Sequence, residues 1–259
     1  MSSAGLTAPP LAPPPGRRIA VVGGSGGIGQ AVVAQLLAAG CRTAVLDLLD
    51  TLKASALPDH VLTHALDVTD EDSVQQGFAQ VEEEFGGLDG LVNLAGFAAA
   101  RQSVRDTSLA VWREVVDVNL QGTFLSCRAA LPLLARGQEA AIVNVASGLA
   151  VKPTRGYGPY SAAKAGVLSL TRLIAQENAP AIRANAVAPS AVATPFLRGG
   201  TGRDPSGQRF DAEAYAETVP LGRIAVPDDV VGPILFFLGP ASAYVTGQTL
   251  HVNGGLLMT

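Results

Sequence analysis

Residues 18–29 read Arg18-Ile-Ala-Val-Val-Gly-Gly-Ser-Gly-Gly-Ile-Gly29, an apolar run that passes without a break into a glycine-rich turn. The run predicts a strand, and apolar residues at helical spacing from 28 to 39 predict a helix directly behind the turn. Glycines at 23, 27 and 29 let the chain turn tightly and let a pyrophosphate approach the backbone. They also let the helix pack close to the sheet, while its N-terminus offers free N–H groups and a positive dipole. A second apolar run, 43–47, ends in Asp47, 24 residues after Gly23. That carboxylate is placed to accept hydrogen bonds from an adenosine ribose and to repel a 2′-phosphate; the alternative is a solvated strand-end acid. No Lys or Arg falls within 23–29 and Leu48 follows the acid, so a 2′-phosphate would find no cation there. The residues favour NAD over NADP.

Outward from this unit the same rhythm repeats. Strands are predicted at 60–66, 88–94, 141–145 and 182–187, and helices at 71–85, 109–135 and 157–178. Strands alternating with helices of this length imply an α/β fold, a three-layer doubly wound parallel sheet of the Rossmann-like kind, with about seven strands and helices on both faces. A single domain over 17–259 follows. Residues 194–219, rich in Gly, Arg, Asp and Pro, break the rhythm where such a sheet places ligands, and are expected to form a lid. Residues 1–16 carry five prolines and are expected to be a flexible tail rather than a leader or transit helix. Arg17 and Arg18, at the far end of the first strand, read as surface charges.

Composition narrows the class. With 259 residues, 48% hydrophobic and 15% charged, the chain can bury a full core, which excludes a disordered or disulfide-scaffold protein. A net charge of −4 with no basic stripe argues against nucleic acid as a partner. The apolar stretch 230–241 is interrupted by Gly232, Pro233 and Gly239 and is too short for a bilayer, so a cytoplasmic protein with no membrane partner is expected. Cys41 and Cys127 lie in no metal-binding or redox motif and read as buried reduced thiols; no metal site is expected.

The chemistry-bearing residues lie on the second half of the pattern. Tyr160-Ser-Ala-Ala-Lys164 falls inside the helix predicted at 157–178. An i,i+4 spacing puts both side chains on one face, where an ammonium can stabilise a phenolate and lower the tyrosine pKa. Ser147, just beyond the strand at 141–145, can bring a hydroxyl to the Tyr160 oxygen. Asn119 is a polar residue in an otherwise apolar helix, a position that requires a partner. Asp67 could reach an adenine or, like Asp70, cap the next helix.

Taken together, these motifs resemble the short-chain dehydrogenase/reductase family over nearly all of 18–258. The matches are Gly23, Gly27 and Gly29, then Asp47, Asn93-Leu-Ala-Gly96, Asn119, Ser147, Tyr160 and Lys164. Asn185-Ala-Val-Ala-Pro189 with Thr194, and the late segment from Tyr244 to Gly255, extend it. Val22, Leu94 and Ser190 depart from the family pattern, and all three bear on the geometry of the cofactor loops. The resemblance implies an NAD-dependent alcohol dehydrogenase or ketone reductase. In it Tyr160 is the general acid/base, Lys164 lowers its pKa and binds a ribose, Ser147 holds the reacting oxygen, and Asn119 holds a water. It implies a cofactor site of Gly23, Ser25, Gly27, Ile28, Gly29, Asp47, Leu48, Asp67, Val68, Asn93, Ala95, Gly96, Tyr160, Lys164, Pro189, Val192 and Thr194. Ser147, Leu149, Tyr157 and Tyr160, with Gly148, Phe97 and the lid, would face a neutral or largely hydrophobic alcohol or ketone. Lid residues Arg198, Arg203 and Arg209, with Lys152 and Arg155 at the mouth, could instead clamp an anion or simply be solvated. A 3-oxoacyl thioester reductase and a non-catalytic dinucleotide sensor are the alternatives, and the family's habit implies a homotetramer.

Overall fold

Along Arg18–Val22, the first strand, successive side chains enter different layers. Ile19 and Val21 bury on one face of the sheet, Ala20 and Val22 on the other. Apolar residues on both faces are the mark of a parallel sheet covered twice, and the computed structural model shows that sheet. It describes residues 9–58, 60–199 and 210–258. The strands are β1 (Arg18–Val22), β2 (Arg42–Asp47), β3 (Leu62–Ala65), β4 (Gly90–Asn93), β5 (Ala140–Val145), β6 (Ile182–Pro189) and β7 (Thr249–Val252). All neighbours pair in parallel, in the order β3-β2-β1-β4-β5-β6-β7.

The helices are α1 (Gly27–Ala38), α2 (Leu49–Ala54), α3 (Glu71–Phe85), α4 (Leu109–Val116), α5 (Gly122–Leu134), α6 (Gly158–Asn178), α7 (Ala212–Glu217) and α8 (Pro227–Leu238). α3, α5 and α6 cover the face of Ala20 and Val22, while α1 and α8 cover the face of Ile19 and Val21. The winding direction reverses between β1 and β4, so a crevice opens there at the carboxyl ends of the strands. Both cysteines are buried and free, as expected.

Four expectations are corrected or resolved. The single helix predicted at 109–135 is two helices joined by a π-helical turn, Asp117–Gln121. Its cause is Asn119, whose side-chain amide takes the Val115 carbonyl that the helical ladder would otherwise use, at 2.9 Å. Second, residues 11–16 of the supposed tail are packed. Pro13 is buried, Gly16 N–H donates to Gly40 O at 2.8 Å, and the Leu11 carbonyl lies so close to Gly239 that no Cβ would fit there. Residues 1–8 lie outside the described residues. Third, the choice left open between Asp67 and Asp70 as the helix N-cap falls to Asp70, which accepts from Asp72 and Ser73 N–H, while the exposed Asp67 accepts from Thr69.

Fourth, Arg17 and Arg18 are structural. Arg18 grips the buried Asp89 with Nε at 3.0 Å and Nη2 at 2.8 Å, and Arg17 pairs with Glu139. Burial alone would raise the Asp89 carboxyl, but the Arg18 side-chain and backbone hydrogen bonds, with the Gln138 N–H, outweigh it and hold the pKa at about 2. A carboxylate with a depressed pKa stabilises the fold fully above its unfolded value near 4 and loses that contribution as pH falls toward 2. Asp89→Asn is therefore expected to lose about 2 kcal/mol at neutral pH and only a small fraction of that at pH ~2. Urea denaturation at both pH values checks this; an equal loss at both contradicts it.

Candidate active site

The glycine turn is crowded by its own surroundings. Gly23 has φ +79°, and a Cβ there would lie 2.5 Å from Ala95 N. A Cβ on Gly29 would lie 2.5 Å from the Gly23 carbonyl, and one on Gly27 would lie 2.7 Å from Thr194 Cγ2. The turn therefore touches the loop after β4 on one side and the base of the lid on the other. α1 begins at Gly26 with no side-chain cap and no acid in its first turn, and the buried Ser25 Oγ has no partner among the described residues. Uncapped N–H groups, an unpartnered hydroxyl and a backbone without side chains fit a pyrophosphate.

Asp47, half-buried at the end of β2, braces this turn. Its Oδ2 accepts Ser25 N–H at 2.9 Å, and its Oδ1 accepts Leu48 N–H and the Thr51 hydroxyl, each at 2.8 Å. The acid thus fixes the rim where an adenosine ribose would lie. Val68 is buried against Gly122, while Leu48 is exposed. Asn93 differs from the expectation of a cofactor-facing amide. Its Nδ2 turns under the sheet to Asn144 Oδ1 at 2.8 Å and Cys127 Sγ at 3.3 Å, and Asn144 continues to Thr171 at 2.9 Å. Ala95 and Gly96, the next small residues, carry the backbone past Gly23 and Asn119.

Beyond β5, the sequence-predicted tetrad comes together. Ser147 caps a 3-10 turn, Gly148–Ala150, and its hydroxyl lies within hydrogen-bonding reach of the Tyr160 phenol. Lys164, on the same face of α6, donates to the Val145 carbonyl at 2.9 Å, with Nζ 5.8 Å from the Tyr160 ring centroid. Asn119 donates to the Phe97 and Val115 carbonyls, leaving a buried Oδ1 with no partner among the described residues. That oxygen and Lys164 Nζ flank the same point above Gly96, so a Cβ at 96 would crowd both. An acceptor beside an ammonium in a dry site is where a bridging hydroxyl or water belongs.

The electrostatics differ from the sequence-based expectation of a lowered tyrosine pKa. Burial pushes the Tyr160 phenol well above the usual tyrosine range, and the Ser147 hydrogen bond offsets only part of this. Burial also brings the Lys164 ammonium down to about 8. Desolvation outweighs the attraction because Lys164 is engaged with Val145 and sits beside the ring.

Substrate-side residues gather around Tyr160. Phe97, Leu149 and Phe196 form an apolar cluster with it, and the Tyr160 and Phe196 ring centroids are 5.9 Å apart. Phe196 was not singled out in the sequence; an aromatic residue two positions after Thr194, at the start of the predicted lid, was the available signal. Val192 is buried and pairs with Ala225, while Thr194 packs over Gly27. α7, in the segment expected to form a lid, meets this strand end through the Tyr215 hydroxyl, which accepts Ala191 N–H at 3.4 Å. Lys152, Arg155 and Arg198 are exposed; Arg203 and Arg209 lie outside the described residues.

A crevice that fits a dinucleotide, beside a buried Ser, Tyr and Lys, defines a nicotinamide-dependent oxidoreductase. A family model described as Enoyl-(Acyl carrier protein) reductase matches residues 23–257. The chain is 34% identical over 250 residues to the 3-oxoacyl-[acyl-carrier-protein] reductase FabG of Thermotoga maritima, covering 94% of this chain and 98% of that one. It is 38% identical over 246 residues to the cis-4-hydroxycyclohexanecarboxylate dehydrogenase of Sinomonas cyclohexanicum, covering 92% and 96%. The structure of 3-ketoacyl-(acyl-carrier-protein) reductase from Brucella melitensis, complexed with NADH, superposes with a TM-score of 0.85 at 28% identity, over 94% of this chain and 99% of that one. The chain belongs to the short-chain dehydrogenase/reductase family. Among the described residues, no helix is long and apolar enough to cross a membrane.

Proposed function

We propose that this protein is an NAD(H)-dependent oxidoreductase that interconverts a secondary alcohol and a ketone, with Tyr160 as general acid/base. The observation that carries this reading is the meeting of Tyr160, Ser147 and Lys164 at the carboxyl end of β5, on the same edge of the sheet as the glycine turn. Gly23, Ser25, Gly27, Ile28 and Gly29 hold the pyrophosphate, and Asp47 with Leu48 takes the adenosine ribose. Asp67 and Val68 form the adenine side, and Asn93, Ala95 and Gly96 line the crevice toward the nicotinamide through their backbone. Pro189, Val192 and Thr194 flank the nicotinamide. A bound nicotinamide supplies or accepts the hydride.

The chain's own residues manage the proton. Ser147 orients the reacting oxygen, and Tyr160 donates its proton to that oxygen during reduction. Burial keeps the phenol protonated, so the proton is available at neutral pH. The phenolate left behind is stabilised by the Lys164 ammonium, which also binds the nicotinamide ribose. Asn119 Oδ1 holds a water beside Lys164, through which the proton is replaced. Phe97, Leu149 and Phe196 exclude bulk water.

A pH dependence follows. Reduction requires charged Lys164, so kcat/KM for a ketone is expected to be level below pH ~8 and to fall above it, while alcohol oxidation gains as pH rises. A reduction profile that stays flat to pH ~10 contradicts this. Cofactor choice is tested by running one ketone with NADH and with NADPH. The braced Asp47 predicts at least about a 10-fold preference for NADH, since a 2′-phosphate would face its charge; equal use overturns the assignment.

A 3-oxoacyl thioester reductase is the second reading, favoured by the 34% identity to the Thermotoga maritima reductase. It employs the same residues and differs only in the substrate. The homotetramer is proposed on the exposed Leu109, Trp112, Phe124 and Leu173, which leave an apolar surface across α4, α5 and α6. Light scattering at micromolar concentration gives the mass, and a monomer would argue against the assembly.

A further inference from the structure

We propose that the substrate carries a carboxylate, bound by Arg101 at the rim of the site while the carbonyl or hydroxyl to be converted lies at Ser147 and Tyr160. This rests on the oxidoreductase reading above and narrows it, replacing the neutral substrate expected from the apolar walls.

Arg101 is held in place by an aromatic residue rather than by an acid. Its Nε donates to the Tyr157 hydroxyl at 3.0 Å, and its guanidinium carbon lies 4.9 Å from the Tyr157 ring centroid. Among the described residues the two outer nitrogens have no acceptor, and no carboxylate stands within ion-pair distance. Those two nitrogens form the edge that grips a carboxylate in a bidentate pair. The nearest acid along the segment, Asp106, is engaged by Ser103 and Arg105. The other charges on the facing loop, Lys152 and Arg155, are exposed and of the same sign.

The backbone around Arg101 is shaped to seat it. Gln102 N–H donates to the Gly156 carbonyl at 3.2 Å, and Gln102 forms a parallel bridge with Tyr157. Gly156 is held at φ +90°, and a Cβ there would lie 2.9 Å from Arg101 Cβ. A glycine at this position therefore gives the arginine stem room to lie against the loop that carries Tyr157. Ala99, Ala100 and Gln102 line a hollow with Val115, Tyr157 and Tyr160, and Arg101 lies over the Tyr157 ring that forms part of its wall. Ala99, which lines this hollow, also belongs to the apolar cluster that Phe97, Leu149 and Phe196 form with Tyr160. A ligand matching that sequence of surfaces has an acidic end, an apolar middle and a carbonyl.

The test uses purified protein with NADH and a series of methyl-ketone acids, from 4-oxopentanoate to 7-oxooctanoate, each paired with its methyl ester. The pair differs only in charge, and the series spans the unknown distance from Arg101 to Tyr160. At the best chain length the acid is expected to exceed its ester in kcat/KM by roughly 10- to 100-fold, mostly through KM, the range for a charge-assisted hydrogen bond. In Arg101→Met that ratio should collapse toward one, and Arg101→Lys, which keeps the charge but not the fork, should recover part of it. An acid-to-ester ratio near one in the unmodified protein, or a ratio that survives in Arg101→Met, overturns the proposal while turnover itself leaves the oxidoreductase reading standing. Absence of turnover with every acid and every ester overturns both.

Discussion

Tyr160→Phe is expected to lower kcat by about 10³-fold, within the range for loss of a positioned general acid, while NADH binds as before. The change removes one hydroxyl and keeps the ring, so the contact with Phe196 and the position of Lys164 are retained. What is lost is the proton donor beside Ser147. Of the neighbouring donors, Ser147 is a far weaker acid and the Lys164 ammonium is engaged with the Val145 carbonyl at 2.9 Å. Single-turnover rates separate the chemical step from product release, and an NADH titration confirms that the cofactor site is intact. Near-normal turnover by this variant would mean that the proton comes from elsewhere.

Gly23→Ala is expected to strike the other half of the site. Two costs act together, a left-handed backbone that an L side chain adopts only at about 1–2 kcal/mol and a Cβ placed 2.5 Å from Ala95 N. The second cannot be relieved by a rotamer change, because the obstacle is backbone, so β1 and the loop after β4 must move apart. A loss on the order of 3 kcal/mol in stability and at least about a 10-fold weaker NADH affinity are expected. Gly16→Ala is the matched control, with φ +81° but nothing within 4 Å of the added carbon. It should show the conformational cost alone, with unchanged NADH affinity. Thermal unfolding and NADH titration of the pair decide the matter, and equal behaviour of the two variants would count against the crowded-turn account.

The comparison of sequence with structure divides along physical lines. β1, β2, β5 and β6 were legible because apolar residues bury on both of their faces, Ile19, Val21, Val45, Val143 and Val187 on one and Ala20, Val22, Leu46, Ile142 and Ala184 on the other, leaving no competing period. Ser147, Tyr160 and Lys164 were legible because their spacing is local: Tyr160 and Lys164 share a helix, and Ser147 follows the neighbouring strand. The π turn at Asp117–Gln121 was hidden because Asn119, whose amide takes the Val115 carbonyl, is also anchored on the Phe97 carbonyl, a contact 22 residues away in the chain. Asp89 binding Arg18, and the seat of Arg101 on Tyr157, depend in the same way on partners 71 and 56 residues distant. The packed prolines of residues 11–16 were missed for another reason. Proline lowers the entropy cost of ordering a segment, so a proline-rich stretch with few apolar contacts can still lie fixed against α8.

Hydride transfer is the central claim, and isotope transfer tests it most directly. With NADH deuterated at C4 and a panel of methyl ketones, keto acids and oxoacyl thioesters, mass spectrometry of the reduced product should find one deuterium at the carbinol carbon. It should appear with one stereospecific cofactor label and not the other. An unlabelled alcohol, or no product from any ketone while NADH remains tightly bound, would contradict the account and leave the fold as a dinucleotide-binding module without turnover.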